Sequence, residues 1–107
     1  MANPYAHASA PTPPREEQAM AFRLVNRKLR QADSPATRNA ALGLNHELWS
    51  ILFRDLGSAD NRLPPVLRQD CTTLARWSMA YSTRALLKDL PLEPLVAINE
   101  DMAQGLS

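Results

Sequence analysis

Asn45-His46-Glu47-Leu48-Trp49-Ser50-Ile51-Leu52-Phe53, then Gly57-Ser58-Ala59-Asp60-Asn61-Arg62-Leu63-Pro64-Pro65, then Val66-Leu67-Arg68, is the stretch whose reading decides the fold. Trp49 and Phe53 stand one helical turn apart, while Leu44, Leu48, Ile51 and Leu52 fill the adjoining face. A helix apolar over so wide an arc is covered on most sides, so its neighbours must wrap around it. The break that follows holds a stop and a start. Gly57 suits the left-handed position just past a helix C-terminus, and Pro64 or Pro65 suits the first turn of the next helix.

Outward from this hinge the chain divides into helices. Ser34-Pro35 supplies an N-cap and a first helical residue, so the central helix covers Pro35 to Leu56. Gly43 falls inside it at a cost of about 1 kcal/mol relative to alanine, and with Ala40 and Ala41 forms a slim patch where another helix can approach. A first helix is predicted from Arg15 to Ala32. Glu16 and Glu17 at its start and Arg27, Lys28 and Arg30 near its end complement the helix dipole. Its apolar stripe is Ala21, Leu24, Val25 and Leu29, flanked by Met20 and Phe22. A third helix, Pro65 to Asp89, carries Leu67, Cys71, Leu74, Ser78, Tyr81 and Ala85 at helical spacing, tightly packed in its first half and looser afterwards. Pro91 ends that segment. A fourth helix, Leu92 to Gln104, puts Leu92, Leu95, Val96, Asn99, Met102 and Ala103 on one face, with Gly105 as terminator.

Strand-type alternation is absent, and the expected fold is all-α, a small four-helix bundle of up-down arrangement. Residues 15–107 form one helical domain in this reading. Residues 1–14, interrupted by Pro4, Pro11, Pro13 and Pro14, read as a flexible Pro/Ala-rich N-terminal arm. Tyr5 is its single aromatic residue, able to dock on the domain or on a partner, or simply solvated.

The 107 residues suffice for one core that folds without metals or disulfides. With 45% hydrophobic and 21% charged residues, wholesale disorder is excluded. A formal net charge of +1 gives global electrostatics no pull toward nucleic acid or membrane. Ten arginines stand against only Lys28 and Lys88, which points to salt-bridged faces or a protein interface, since guanidinium groups pair with carboxylates bidentately. Cys71, the single cysteine, excludes an internal disulfide and reads as a small buried hydrophobe rather than a reactive thiol. The first residues show no basic region followed by an apolar run, and no stretch reaches membrane-spanning length. A cytoplasmic protein without membrane insertion is expected.

No constellation suggests an enzyme or a cofactor. His46-Glu47 begins like a zinc-protease helix motif, but Ser50 stands where the second histidine would fall. His7 lies in the arm, Cys71 has no histidine at readable spacing, and a Gly-rich phosphate loop is missing. No metal site is expected either. Arg23, Arg27 and Arg30 share one face of the first helix, readable as a nucleic-acid stripe or, preferably, as a solvated face paired with carboxylates. The link from Gly57 to Leu63 is longer than a helix-turn-helix turn of about three or four residues. Trp49, flanked by apolar residues, is a core candidate first, whereas Trp77, between Arg76 and Ser78, suits core and partner anchor equally. Asn61 supports turn geometry, Arg68 can tie the loop to Asp60 or to loop carbonyls, and Leu63 plugs the core.

Asn45-x-x-Leu48-Trp49-x-Ile51, Asp60-Asn61-x-Leu63-Pro64-x-x-Leu67-Arg68, Leu74-Ala75, and Leu95-x-x-Ile98-Asn99-x-x-Met102-Ala103-x-Gly105-Leu106 follow one another in an order that resembles the flagellar biosynthesis regulator FlaF family of alphaproteobacteria. Tyr5 and the Pro14-Arg15-Glu16 helix start look like that family too, while Cys71 and Trp77 depart from it mildly. The resemblance implies a small protein that acts with flagellin, in functional opposition to the regulator FlbT, as a flagellin-specific secretion chaperone. A helical domain with an apolar groove can cover amphipathic flagellin helices until export and so promote flagellin synthesis and secretion. The expected groove lies where the second and third helices meet the fourth, with Trp49, Phe53, Leu63, Trp77 and Ile98 as contacts or, equally, core. Asn45, Leu48, Asn61, Pro64, Arg68 and Asn99 are the family-motif positions, structural or binding. The alternative implied function is a post-transcriptional regulator that contacts flagellin messenger RNA through Arg23, Arg27 and Arg30. Nucleic acid is not the expected direct ligand.

Overall fold

The computed structural model describes residues 14–106, and within them the chain forms four α-helices: α1 (Pro14–Gln31), α2 (Pro35–Leu56), α3 (Pro65–Leu87) and α4 (Glu93–Leu106). The expected arm, with Tyr5 and His7, lies outside the described residues except for Pro14, which begins α1. All-α architecture and four helices agree with the sequence reading. The helix ends show why. Ser34 Oγ accepts from Thr37 N at 3.1 Å while Thr37 Oγ1 accepts from Ser34 N at 3.0 Å, a reciprocal capping box that starts α2. Pro65 occupies the first helical position of α3, where a missing N–H costs nothing.

The helices run alternately up and down. α2 packs broadly on α3 and α1 on α4, α1 against α2 joins the two pairs, and α3 touches α4 only narrowly. Two apolar clusters fill the interior. One gathers Val25, Leu29, Leu42, Tyr81 and Leu95, the other Phe22, Trp49, Leu52, Leu56 and Ala103, and Leu48 packs against both. Arg38 seals the top: its Nη2 donates to the carbonyls of Ala85, Lys88 and Leu90 at 3.2, 3.4 and 2.8 Å, so one side chain of α2 caps the C-terminus of α3.

Several expectations change. Gly57 sits at φ −86°, ψ −3°, in the right-handed region, and its N–H reaches the carbonyls of Phe53 and Arg54; the helix ends by a tightened last turn, not a left-handed cap. Gly105 lies inside α4, and Gly43 faces open space, so neither a glycine terminator nor a close helix approach forms there. On α1 the buried line is Ala19, Phe22, Val25, Asn26 and Leu29, and the expected Leu24 is exposed because Phe22, not Leu24, meets Trp49 (ring centroids 5.2 Å apart, 67° between planes). Leu44 and Ile51 on α2 are exposed as well, so α2 is covered on one side rather than on most. On α3 the order of packing is reversed. Ala75, Ser78, Tyr81, Ser82 and Ala85 are buried in its second half, while Val66 and Leu67 in its first turns are in solvent.

Candidate partner-binding groove

The end of the bundle where α2 stops is shaped by Asn61. Its Nδ2 donates to Asp55 Oδ2 at 3.3 Å, its Oδ1 accepts from Leu63 N at 3.1 Å, and its own N–H donates to Ser58 O at 3.1 Å. An asparagine that bonds the backbone two residues on fixes the turn as a backbone turn would. The chain consequently leaves α2, presents Leu63 outward and starts α3 at the outer edge. Opposite, the Arg15 guanidinium donates to Gly105 O at 3.1 Å, a cation resting on the carbonyl end of α4.

Between these edges opens a hollow of about 530 Å³. Leu52 and Leu56 of α2, Leu67 and Cys71 of α3, and Met102 and Leu106 of α4 line it with Leu63, and Arg15, Asp55 and Asp101 bring charge to it. α3 and α4 are joined at their other end, where Tyr81 Oη donates to Pro91 O at 2.7 Å. The hollow is thus the open end of the α3–α4 seam. The α3 stripe beside it remains uncovered: Leu67 is 52% exposed, Leu74 36% and Trp77 39%, the last leaning on Tyr81 at 5.0 Å between ring centroids. Cys71 is half-buried there. Burial first, and the negative charge of Asp70 second, push its thiol above the ordinary 9.0, so it stays neutral and unreactive near pH 7.

Behind the groove runs a buried chain of hydrogen bonds. Trp49 Nε1 donates to Asn99 Oδ1 at 2.8 Å, Asn99 Nδ2 to Asn45 Oδ1 at 2.7 Å, and Asn45 Nδ2 to Ser78 Oγ at 3.1 Å and Ser82 Oγ at 2.9 Å. The direction follows from one atom. Indole N–H can only donate, so Asn99 must turn its oxygen to Trp49 and its amide to Asn45, which must then offer its own amide to the serines. Ser82 Oγ donates in turn to Ser78 O at 2.8 Å. The chain ties α2, α3 and α4 together across the core and sets α4 at one register.

The five expected groove residues separate. Leu63 lines the hollow but plugs no core, being exposed. Trp77 is on the uncovered stripe, and Ile98 is half-buried against the Trp49 cluster. Phe53 is half-buried under the Arg76 guanidinium, 5.5 Å from its ring centre. Trp49 is fully buried and hydrogen-bonded inside, which removes it from any surface. Of the motif positions, Asn45 and Asn99 are core polar links, Leu48 bridges the two clusters, Asn61 builds the turn and Pro64 is the N-cap of α3. The Arg68 guanidinium bonds neither Asp60 nor a loop carbonyl among the described residues, while its carbonyl accepts from Thr72 Oγ1 at 2.8 Å. Sequence reasoning did not assign Leu67, Met102 and Leu106 to the groove. Their signal was present as apolar spacing next to the break.

Among the described residues no cluster of three or more His, Cys, Asp and Glu could hold a metal, and no helix is long and apolar enough to cross a membrane. On the arginine face of α1, Arg30 meets Glu100 at 3.3 Å.

A family model described as Flagellar protein FlaF matches residues 1–106. The chain belongs to the FlaF family. No curated protein and no solved structure gives a significant match. Membership makes this a flagellum-related protein.

Proposed function

We propose that the chain binds flagellin as a secretion chaperone, covering amphipathic flagellin helices in the α3–α4 groove before export and thereby promoting flagellin synthesis and secretion. Family membership supports a flagellar role, and the observation that carries the finer reading is the uncovered apolar half of α3. Leu67, Leu74 and Trp77 recur at the three- and seven-residue intervals of one helix face, the pattern that receives a partner helix. Met102 and Leu106 line the hollow with Leu67, so the end of an incoming helix that reaches Leu67 meets apolar side chains of α4 as well. The indole-to-serine chain behind the groove holds α4 still, which lowers the ordering cost of capture.

Affinity then comes from apolar burial and tolerates salt. Retention of flagellin on the immobilised chain tests the reading. The native chain retains flagellin, a Leu67→Glu variant of equal helicity does not, and equal retention by both rules the groove out.

A further inference from the structure

We propose that two copies of this chain pair through the uncovered stripe of α3, packed antiparallel about a two-fold axis. The stripe consists of Leu67, Asp70, Leu74, Trp77, Tyr81 and Arg84, spaced at alternating intervals of three and four residues. That spacing averages three and a half residues, the repeat of a helix face that meets another helix along a seam. All six lie within α3, over ~25 Å of its length. Leu67, Leu74 and Trp77 are partly in solvent, and Asp70 and Arg84 are exposed. An uncovered apolar stripe of this length on a small domain marks an interaction surface.

The order of the six side chains makes the stripe complementary to itself. A two-fold axis midway between Ala75 and Arg76 sets Leu74 against Trp77 of the second copy, Asp70 against its Tyr81 and Leu67 against its Arg84. The Arg84 guanidinium rests over the Tyr81 ring, 5.6 Å from its centre, so an Asp70 carboxylate that arrives at Tyr81 meets a cation. At the other end Leu67 lines the hollow together with Asp55 and Asp101. The one guanidinium that lines it, Arg15, already donates to Gly105 O, so an incoming Arg84 finds carboxylates there. Charge also selects the direction. Parallel pairing would set Asp70 on Asp70 and Arg84 on Arg84, like charges opposed at two layers. In the antiparallel pair every contact occurs twice, as in any isologous interface. Burial of Leu74 and Trp77 at the centre drives association, and the carboxylate–guanidinium contacts towards the ends fix the register.

The pairing is measured on the full chain alone, without flagellin, so its outcome is separate from that of the chaperone reading. A single helix seam falls at the weak end of specific interfaces, and sedimentation equilibrium at low salt should show a monomer–dimer equilibrium between about 10 μM and 500 μM. Asp70→Arg and Arg84→Asp, both at exposed positions, each set like charges opposite one another and should weaken association about tenfold or more at unchanged helicity. The double variant exchanges the two charges and should restore the native constant to within about threefold. A native chain that stays monomeric throughout overturns the inference. So do single reversals that associate as well as the native chain, or a double variant no better than the singles. In a mixture of isotope-labelled and unlabelled copies, contacts between Leu74 methyl groups of one copy and the Trp77 indole of the other are expected. Their absence from a dimeric sample places the interface elsewhere and overturns the inference as well.

Discussion

Replacing Asn99 by leucine removes the middle link of the buried hydrogen-bond chain while keeping a branched side chain of the same number of heavy atoms. Two groups lose their partners at once: Trp49 Nε1, which gave its proton to Asn99 Oδ1 at 2.8 Å, and Asn45 Oδ1, which accepted from Asn99 Nδ2 at 2.7 Å. Trp49, Asn45 and Asn99 are all fully buried, so water cannot substitute without opening the core. Each buried orphan costs about 1–3 kcal/mol, and the pair therefore ~2–6 kcal/mol. Set against a total stability of about 5–15 kcal/mol for such a domain, the loss is large. Urea unfolding followed by circular dichroism measures it. Trp49→Phe isolates the indole bond, since phenylalanine has no proton to orphan. In that background Asn99→Leu should cost ~1–3 kcal/mol less than in the native chain. Additive costs, within about 0.5 kcal/mol, would show that the Trp49–Asn99 bond does not stabilise the bundle as argued.

Core and groove leucines should behave oppositely. Leu95→Ala, at a fully buried site, should cost about 2–5 kcal/mol of stability. Leu67→Ala, half in solvent, should change stability by less than about 0.5 kcal/mol, yet weaken flagellin binding by ~1 kcal/mol, near fivefold in Kd by titration. Arg38→Met keeps the stem but leaves the carbonyls of Ala85, Lys88 and Leu90 uncapped; a loss of about 1.5–3 kcal/mol and faster amide exchange at the end of α3 are expected. At pH 8 the folded Cys71 thiol should alkylate more slowly than the urea-unfolded chain, and Asp70→Asn should speed it, because burial and then Asp70 raise its pKa above 9.0. The same shift means that this contribution to stability is whole below about pH 9 and is lost as pH rises through the folded pKa.

Helix count, the Ser34-Pro35 start and the Pro65 start were legible because each depends on neighbours in sequence alone. The stripe of α4 was legible too, and Leu95, Asn99 and Ala103 on it are buried. Stripe assignment failed where two faces compete. On α1, Leu24 and Phe22 both suit a core, and only the position of Trp49 across the interface selects Phe22. On α3 the apolar spacing of Leu67, Cys71 and Leu74 reads as core, since periodicity cannot tell a stripe covered by its own chain from one left for another. The discrepancy is informative, for those residues border the candidate groove. Trp49 illustrates the converse: an aromatic hot-spot candidate is committed inward by Asn99, fifty residues away, a partner that no local pattern reveals. Gly57 ends α2 without a left-handed backbone because Ser58 and Asn61 continue the turn through their own hydrogen bonds.

Calorimetric titration of the full chain with flagellin, at low and high salt and at two temperatures, tests the central claim most directly. Capture in an apolar groove predicts binding that survives high salt with a negative heat-capacity change. Binding that vanishes with salt, or no binding by a chain whose helicity is intact, would contradict it.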